Sequence, residues 1–236
     1  MQLRGVYTWS KALDDGDTLN GSAAANAPGL VMDSRYLALD KGRATFDVQH
    51  AAAINGTYEL PFGRGKTFLG QPSGAVDKLV SGWSINAIAT IHSGFPFTPE
   101  LTFNPSNNGN ERNPIRPSLN PAFHGKIILR SPNGWFDPNA FVVPPHGTLG
   151  NLGRNILDGP GLSEVDLSLF KDTKLSERLD LQFRAEAFNL FNTANFNTPN
   201  LIAFTSATAP PSTTAGVITS TTTTSRQIQL ALKLIW

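Results

Sequence analysis

The stretch Arg226-Gln227-Ile228-Gln229-Leu230-Ala231-Leu232-Lys233-Leu234-Ile235-Trp236 decides how this chain reads. Ile228, Leu230, Leu232, Leu234 and Trp236 fall on one face of an extended strand. Gln227, Gln229, Ala231 and Lys233 fall on the other, with Ile235 the one apolar exception. Such period-two alternation, sustained over about 11 residues, matches a strand crossing a bilayer at a tilt. A closing tryptophan suits the lipid–water interface, where an indole can keep one edge wet. In water, a fraying terminus gives an aromatic no comparable reason to be there.

Upstream the pattern recurs. Gln2 to Ser10 sets Leu3, Gly5, Tyr7 and Trp9 against Gln2, Arg4, Val6, Thr8 and Ser10. Phe46 to Leu60 places Phe46, Val48, Ala52, Ile54, Tyr58 and Leu60 on the apolar side, interrupted by His50 and Gly56. Gly82 to His92 aligns Trp83, Ile85, Ala87, Ala89 and Ile91. Glu164 to Lys171 aligns Val165, Leu167 and Leu169. Arg178 to about Leu190 aligns Leu179, Leu181, Phe183, Ala185 and Ala187, and the pattern breaks at Phe188, where a bulge or strand end is expected. These segments predict an all-β fold: an antiparallel up-and-down transmembrane β-barrel fragment of about six strands with long extracellular loops.

Composition agrees. Charged residues are 16% of 236, below the usual quarter or so, and the net charge is +1, which favours no nucleic-acid partner. The absence of cysteine excludes disulfides, thiolate metal sites and cysteine nucleophiles. No window is apolar enough for a transmembrane helix, whereas half-apolar strands average out to a soluble-looking chain. Met1 to Ser10 lacks the basic and apolar regions of a signal peptide and reads as mid-strand, so the chain is expected to begin partway through a larger protein.

The connections sort into two kinds. Loops at 11–45, 98–162 and 192–225 are long, whereas the turns at 61–78 and 172–177 are shorter. Transmembrane barrels put long loops outside and short turns in the periplasm. On that topology Tyr58, Trp83 and Trp236 fall at the periplasmic rim, and Tyr7, Trp9 and Phe46 at the outer rim, all on the apolar face. Two aromatic girdles emerge that the strand assignment did not assume. The lumen face would carry Arg4, Asp47, Glu59, Asp166, Asp180, Arg184, Glu186 and Lys233, mixed in sign and hydrated. Within 98–162, Trp135-Phe136-Asp137-Pro138-Asn139-Ala140-Phe141 reads as an ordered knot in a loop that would capture ligand.

Several motifs together resemble the TonB-dependent receptors. They are Tyr7-Thr8-Trp9-Ser10-Lys11, Arg43-Ala44-Thr45-Phe46-Asp47-Val48-Gln49-His50, Tyr58-Glu59-Leu60-Pro61-Phe62-Gly63, Gly82-Trp83 and Ser93-Gly94-Phe95-Pro96-Phe97. Gly150-Asn151-Leu152-Gly153-Arg154-Asn155, Gly159-Pro160-Gly161, Val165-Asp166-Leu167-Ser168-Leu169-Phe170-Lys171 and Phe188-Asn189-Leu190-Phe191-Asn192 resemble the Oar-like branch. The resemblance implies an outer-membrane barrel of about 22 strands around a plug. It also implies uptake of a siderophore, saccharide or peptide, driven by the TonB energy-coupling complex. Residues 1–236 would be the C-terminal part of that barrel, without plug or signal peptide. The implied partners are outer-membrane lipid, the missing upstream strands and plug, and the barrel-assembly machinery through the C-terminal strand. About six strands fall short of the eight or so in the smallest barrels, so the edges must be satisfied elsewhere.

No catalytic, cofactor or metal residue is assigned, and the chain is not read as an enzyme. Asp166, Asp180 and Glu186 are explained by cross-strand pairing with Arg178 and Arg184. His50, His92, His124 and His146 lack ligand spacing, and His50 on the apolar face implies a bulge or a rim position. Asp14-Asp15-Gly16-Asp17 reads as a solvated loop rather than a calcium site. Gly63-Arg64-Gly65-Lys66-Thr67 lacks the spacing and following helix of a phosphate loop. The competing reading is a soluble β-sandwich module that binds carbohydrate, which needs no matched aromatic rims.

Overall fold

A computed structural model describes residues 1–16, 31–33, 35–109 and 115–236. Its frame is a single six-stranded sheet: β1 (Gln2–Trp9), β2 (His50–Glu59), β3 (Trp83–His92), β4 (Leu162–Ser176), β5 (Leu179–Phe188) and β6 (Gln227–Ile235). The strands lie side by side in chain order, every pair antiparallel, as an up-and-down meander.

The register carries one apolar band across all six strands. Tyr7 stands opposite Ala52, Ala52 opposite Ile91, Leu169 opposite Ile85 and Ala185, and Phe183 opposite Leu232. Directly paired residues point to the same side, so these ladders join the apolar residues of each strand into a continuous face. A slip of one residue in any pair would turn that strand's apolar set to the wrong side, and this pins the register. The opposite face is mostly polar, with Arg4 opposite Asn55, Asn86 opposite Thr57 and Ser168, and Gln182 opposite Lys233.

Among the described residues, none covers the apolar face. Of the residues in the six strands only Lys171 is buried. Leu3, Trp9, Ile228, Leu230 and Leu232 are each more than 60% exposed. A soluble sandwich would lay a second sheet on this surface. The other ladders are two-stranded and short, and every one lies within the long connections at one end of the sheet. This contradicts the sandwich reading.

The hydrophobic core is in those connections instead. Phe97, Leu101, Ile115, Phe136, Phe141, Leu152, Leu157, Leu201 and Phe204 pack into one buried cluster, joined by Met32. A folded cap therefore sits over one end of the sheet. The expected knot at 135–141 is its centre, and the residues around it are ordered far beyond that knot.

Other expectations change in detail. β2 starts at His50, not Phe46, because Asp47 turns inward, where it is 1% exposed. Its carboxylate accepts from Ala12 N at 2.7 Å and from Arg43 Nε at 2.8 Å, so it braces the cap and does not face the lumen. Phe46 correspondingly leaves the strand rim. The expected turn at 172–177 shrinks to Glu177 and Arg178, with a bulge near Ser176. Its polar residues are ladder partners, Asp172 with Gln182 and Lys174 with Asp180. At the end of the 61–78 connection an unexpected helix forms, α1 (Gly74–Val80), which runs two residues past it and begins several residues beyond the glycine-rich turn. β5 ends at Phe188, where its alternation breaks, and Asn189 takes a left-handed φ of 49°.

Candidate functional site

Three connections build the cap, and arginines tie the first to the second. Arg116 Nη1 donates to Asp40 Oδ1 at 3.1 Å and Nη2 to the Leu39 carbonyl at 2.6 Å. Arg154 reaches the Asp40 carbonyl at 3.0 Å and pairs with Asp14. Arg43 bridges Asp47 and Asp158. Asn155 donates to the Arg43 carbonyl at 2.7 Å and accepts from Thr98 Oγ1 at 3.0 Å. Asp14 is thus an ion-pair partner rather than a freely solvated loop residue, while Asp17 lies outside the described residues. Burial pushes the Arg116 guanidinium below its ordinary pKa, against the opposing pull of Asp40.

The third connection is held by asparagines. Asn189 donates to the Thr193 and Thr224 carbonyls, both at 2.9 Å. Asn195 accepts from Ser163 N at 2.9 Å and donates to Thr223 Oγ1 at 3.0 Å. The threonine run at 219–224 therefore has fixed partners, with Phe196 bridging Thr221. The third connection reaches the core by the parallel pairing of Glu100–Leu101 with Ile202–Phe204.

Among the described residues, openings between these segments include two large ones. The larger, about 850 Å³, lies where β2 and β3 meet the cap, between Gln49, Ser93 and Gly94 on one side and Lys126, Arg130 and Trp135 on the other. Its floor needs glycine, since a Cβ at Gly94 would come within 1.9 Å of the Gly159 carbonyl oxygen. Trp135 is fixed by its Nε1, which donates to the Asp158 carbonyl at 2.8 Å. Arg130, with φ of 58°, sits near the tip of the hairpin joining Ile128–Ser131 to Gly134–Phe136. Two cations beside a fixed indole favour a polar or anionic ligand with a flat surface. The smaller opening, about 570 Å³, is lined by Glu100 with Thr198, Asn200, Thr214 and Thr219. Among the described residues Glu100 Oε1 has no hydrogen-bond partner, and burial pushes this carboxyl up to about 7.

A family model described as an outer membrane beta barrel domain matches residues 1–229. The chain belongs to the outer membrane β-barrel domain family. No curated protein and no solved structure matches it. As a member of that family the protein sits in the outer membrane, and its uncovered apolar face is the lipid-facing side of a barrel wall. The capped end, fed by the long connections, is the extracellular mouth, and the end bearing α1 and the Glu177–Arg178 turn is periplasmic.

The residues singled out from sequence fall into place unevenly. Arg4, Glu59, Asp166, Asp180, Arg184, Glu186 and Lys233 lie on the polar face, and Asp47 does not. The expected carboxylate–arginine pairing is replaced by other contacts. Arg184 packs over Phe170 at 5.3 Å and donates to Gln182, while Asp166 accepts from Asn189 N at 2.9 Å. His50 begins β2 opposite Trp9, at the rim, and its Nδ1 is hydrogen bonded to the Tyr7 hydroxyl at 2.8 Å. Among the described residues no group of three acidic, histidine or cysteine side chains is placed to hold a metal ion. Lys126 and Arg130 escaped sequence reading, because a hairpin inside a proline-rich segment brings them to the mouth, whereas Trp135 was legible as the start of the knot at 135–141.

Proposed function

We propose that this chain is the C-terminal part of the barrel of a TonB-dependent receptor of the Oar-like branch, with its capped mouth as the ligand-capture surface. One observation carries the reading: a cap with its own core stands over the extracellular end of an open six-stranded sheet. The 850 Å³ cleft at the rim of that cap has the size and concave form of a small-molecule binding pocket, which supports ligand capture. Among the described residues the edges of β1 and β6 have no partner strand, and in lipid they must be paired. Upstream strands and a plug fit that requirement, with the barrel-assembly machinery engaging the C-terminal strand during insertion. The TonB energy-coupling complex would act on the full-length protein, and no catalytic step is assigned.

The test is uptake of labelled ferric siderophores, oligosaccharides and short peptides by cells expressing the full-length protein, with and without TonB. Energy-dependent uptake of one class, lost without TonB and reduced by Lys126→Glu with Arg130→Glu, supports the proposal. Uptake of every small solute, unchanged by TonB loss, would instead make it a passive pore.

A further inference from the structure

We propose that residues 61–82 form an in-plane lipid anchor that rests on the periplasmic leaflet outside the barrel wall, with phospholipid as its occupant. The proposal rests on reading the apolar band as lipid-facing and the capped end as extracellular.

Trp83 opens β3 on the apolar face, and Lys171 stands directly opposite it on β4. Trp83 Nε1 donates to the Leu79 carbonyl at 2.8 Å, and Lys171 Nζ donates to the Ser81 carbonyl at 2.6 Å. Both side chains belong to the lipid-facing side, so they draw residues 79–81 over the outside of the wall and away from the lumen. Glycine permits the close approach. Gly82 has φ of 81°, and a Cβ there would stand 2.2 Å from the Asp172 carbonyl oxygen. Gly63, with φ of 103°, lies equally tight against Ser81.

The chemistry of the segment fits that place. At about 3.6 residues per turn, Ala75, Val76, Leu79 and Val80 share one side of α1, and Gly74, Asp77 and Lys78 the other. The polar side is the one tied down: Asp77 accepts from Ser81 Oγ at 2.5 Å and lies 3.6 Å from Arg64. The apolar side is open, with Val76 54% and Leu79 69% exposed. Phe62 and Phe68, 5.7 Å apart between ring centroids, and Leu69 are exposed apolar side chains of the same segment. Through Leu79 and Ser81 the open side of α1 meets the Trp83 rim and so continues the lipid-facing band. Lys66 pairs with Glu59 at 2.6 Å and Arg64 lies 3.6 Å from Asp77, so Lys78, exposed on the polar side of α1, is the cation placed for phosphate headgroups.

Because the chain has no cysteine, single replacements can carry a fluorophore at a chosen site. Val76→Cys, Leu79→Cys, Lys78→Cys and Leu230→Cys would each be labelled with a polarity-sensitive dye. The protein would be folded into phosphatidylethanolamine–phosphatidylglycerol vesicles containing lipids with a shallow or a deep nitroxide. The expected result is blue-shifted emission at 76 and 79, quenched severalfold by the shallow nitroxide, with 78 unquenched and 230 quenched by the deep one. If 76 and 79 behave like 78 while 230 stays quenched, the anchor is wrong and the barrel stands. Blue-shifted but unquenched emission at 76 and 79 means that protein covers the helix, which also overturns it. An unquenched 230 removes the lipid-facing band and the anchor with it.

Discussion

Arg116 and Asp40, from two different connections of the barrel, form an ion pair at 3.1 Å with both side chains 2% exposed. Such a pair joins the first connection to the second in the interior of the cap. Its energetics are double-edged, because desolvating two charges offsets most of their attraction and Arg116 Nε has no acceptor among the described residues. What the pair supplies most clearly is uniqueness of arrangement: either partner left alone is a buried, uncompensated charge.

Arg116→Met is therefore expected to destabilise the cap by about 3–5 kcal/mol, and adding Asp40→Leu to recover a large part of that loss. Denaturant titration of cap proteolysis measures both. A double variant no more stable than the single would show that Asp40 is held by its other donor, Met32 N.

Phe136 touches both Phe97, at 5.7 Å between centroids, and Phe141, at 5.9 Å. Phe136→Ala should cost the cap about 3–5 kcal/mol and leave the sheet intact, since no strand of the sheet shares this core. Hydrogen exchange would show faster exchange at 115–142 with the β3–β4–β5 amides unchanged. Equal loss in both would mean that cap and wall fold as one unit.

Glu100 makes cap stability pH-dependent. Its folded pKa of about 7 lies above the ordinary 4.5, so between these values the folded cap holds a proton that the opened state releases. Stability is then fullest below about pH 4.5 and falls as pH rises to about 7. Exchange of the Leu101 and Ala203 amides should quicken from about pH 5 to about pH 8 beyond the intrinsic chemical change, and Glu100→Gln should abolish the excess.

Topology is open to a direct check in cells. An epitope inserted between His146 and Gly147, both exposed on the cap, should be reached by antibody on intact cells. The same epitope after Ser73 should be reached only once the outer membrane is permeabilised. Reversed accessibility would invert the barrel.

How legible this was depended on period. Strands of the wall could be read because lipid on one side and water on the other impose strict alternation, as in Leu230, Leu232 and Leu234 against Gln229 and Lys233. Where polar residues pair with each other the signal failed: Asp172 and Lys174 read as a turn, yet they face Gln182 and Asp180 across the ladder. The cap was nearly illegible. Its core residues, such as Phe97, Ile115, Leu157 and Phe204, come from segments without periodicity and meet only through long-range contacts. Asp47 shows the same limit, because continuing the β2 alternation back through it assigned a face to a residue whose partners are Ala12 and Arg43.

The central claim, that the apolar band faces lipid, is tested most directly on β6 by comparing Leu232→Arg with Gln229→Arg in lipid-vesicle folding titrations. Leu232 stands opposite Phe183 in the band and Gln229 opposite Glu186 on the polar face. The expected cost is about 2–4 kcal/mol for Leu232→Arg and close to none for Gln229→Arg. Equal tolerance of both, or a larger penalty at Gln229, would contradict the orientation of the wall.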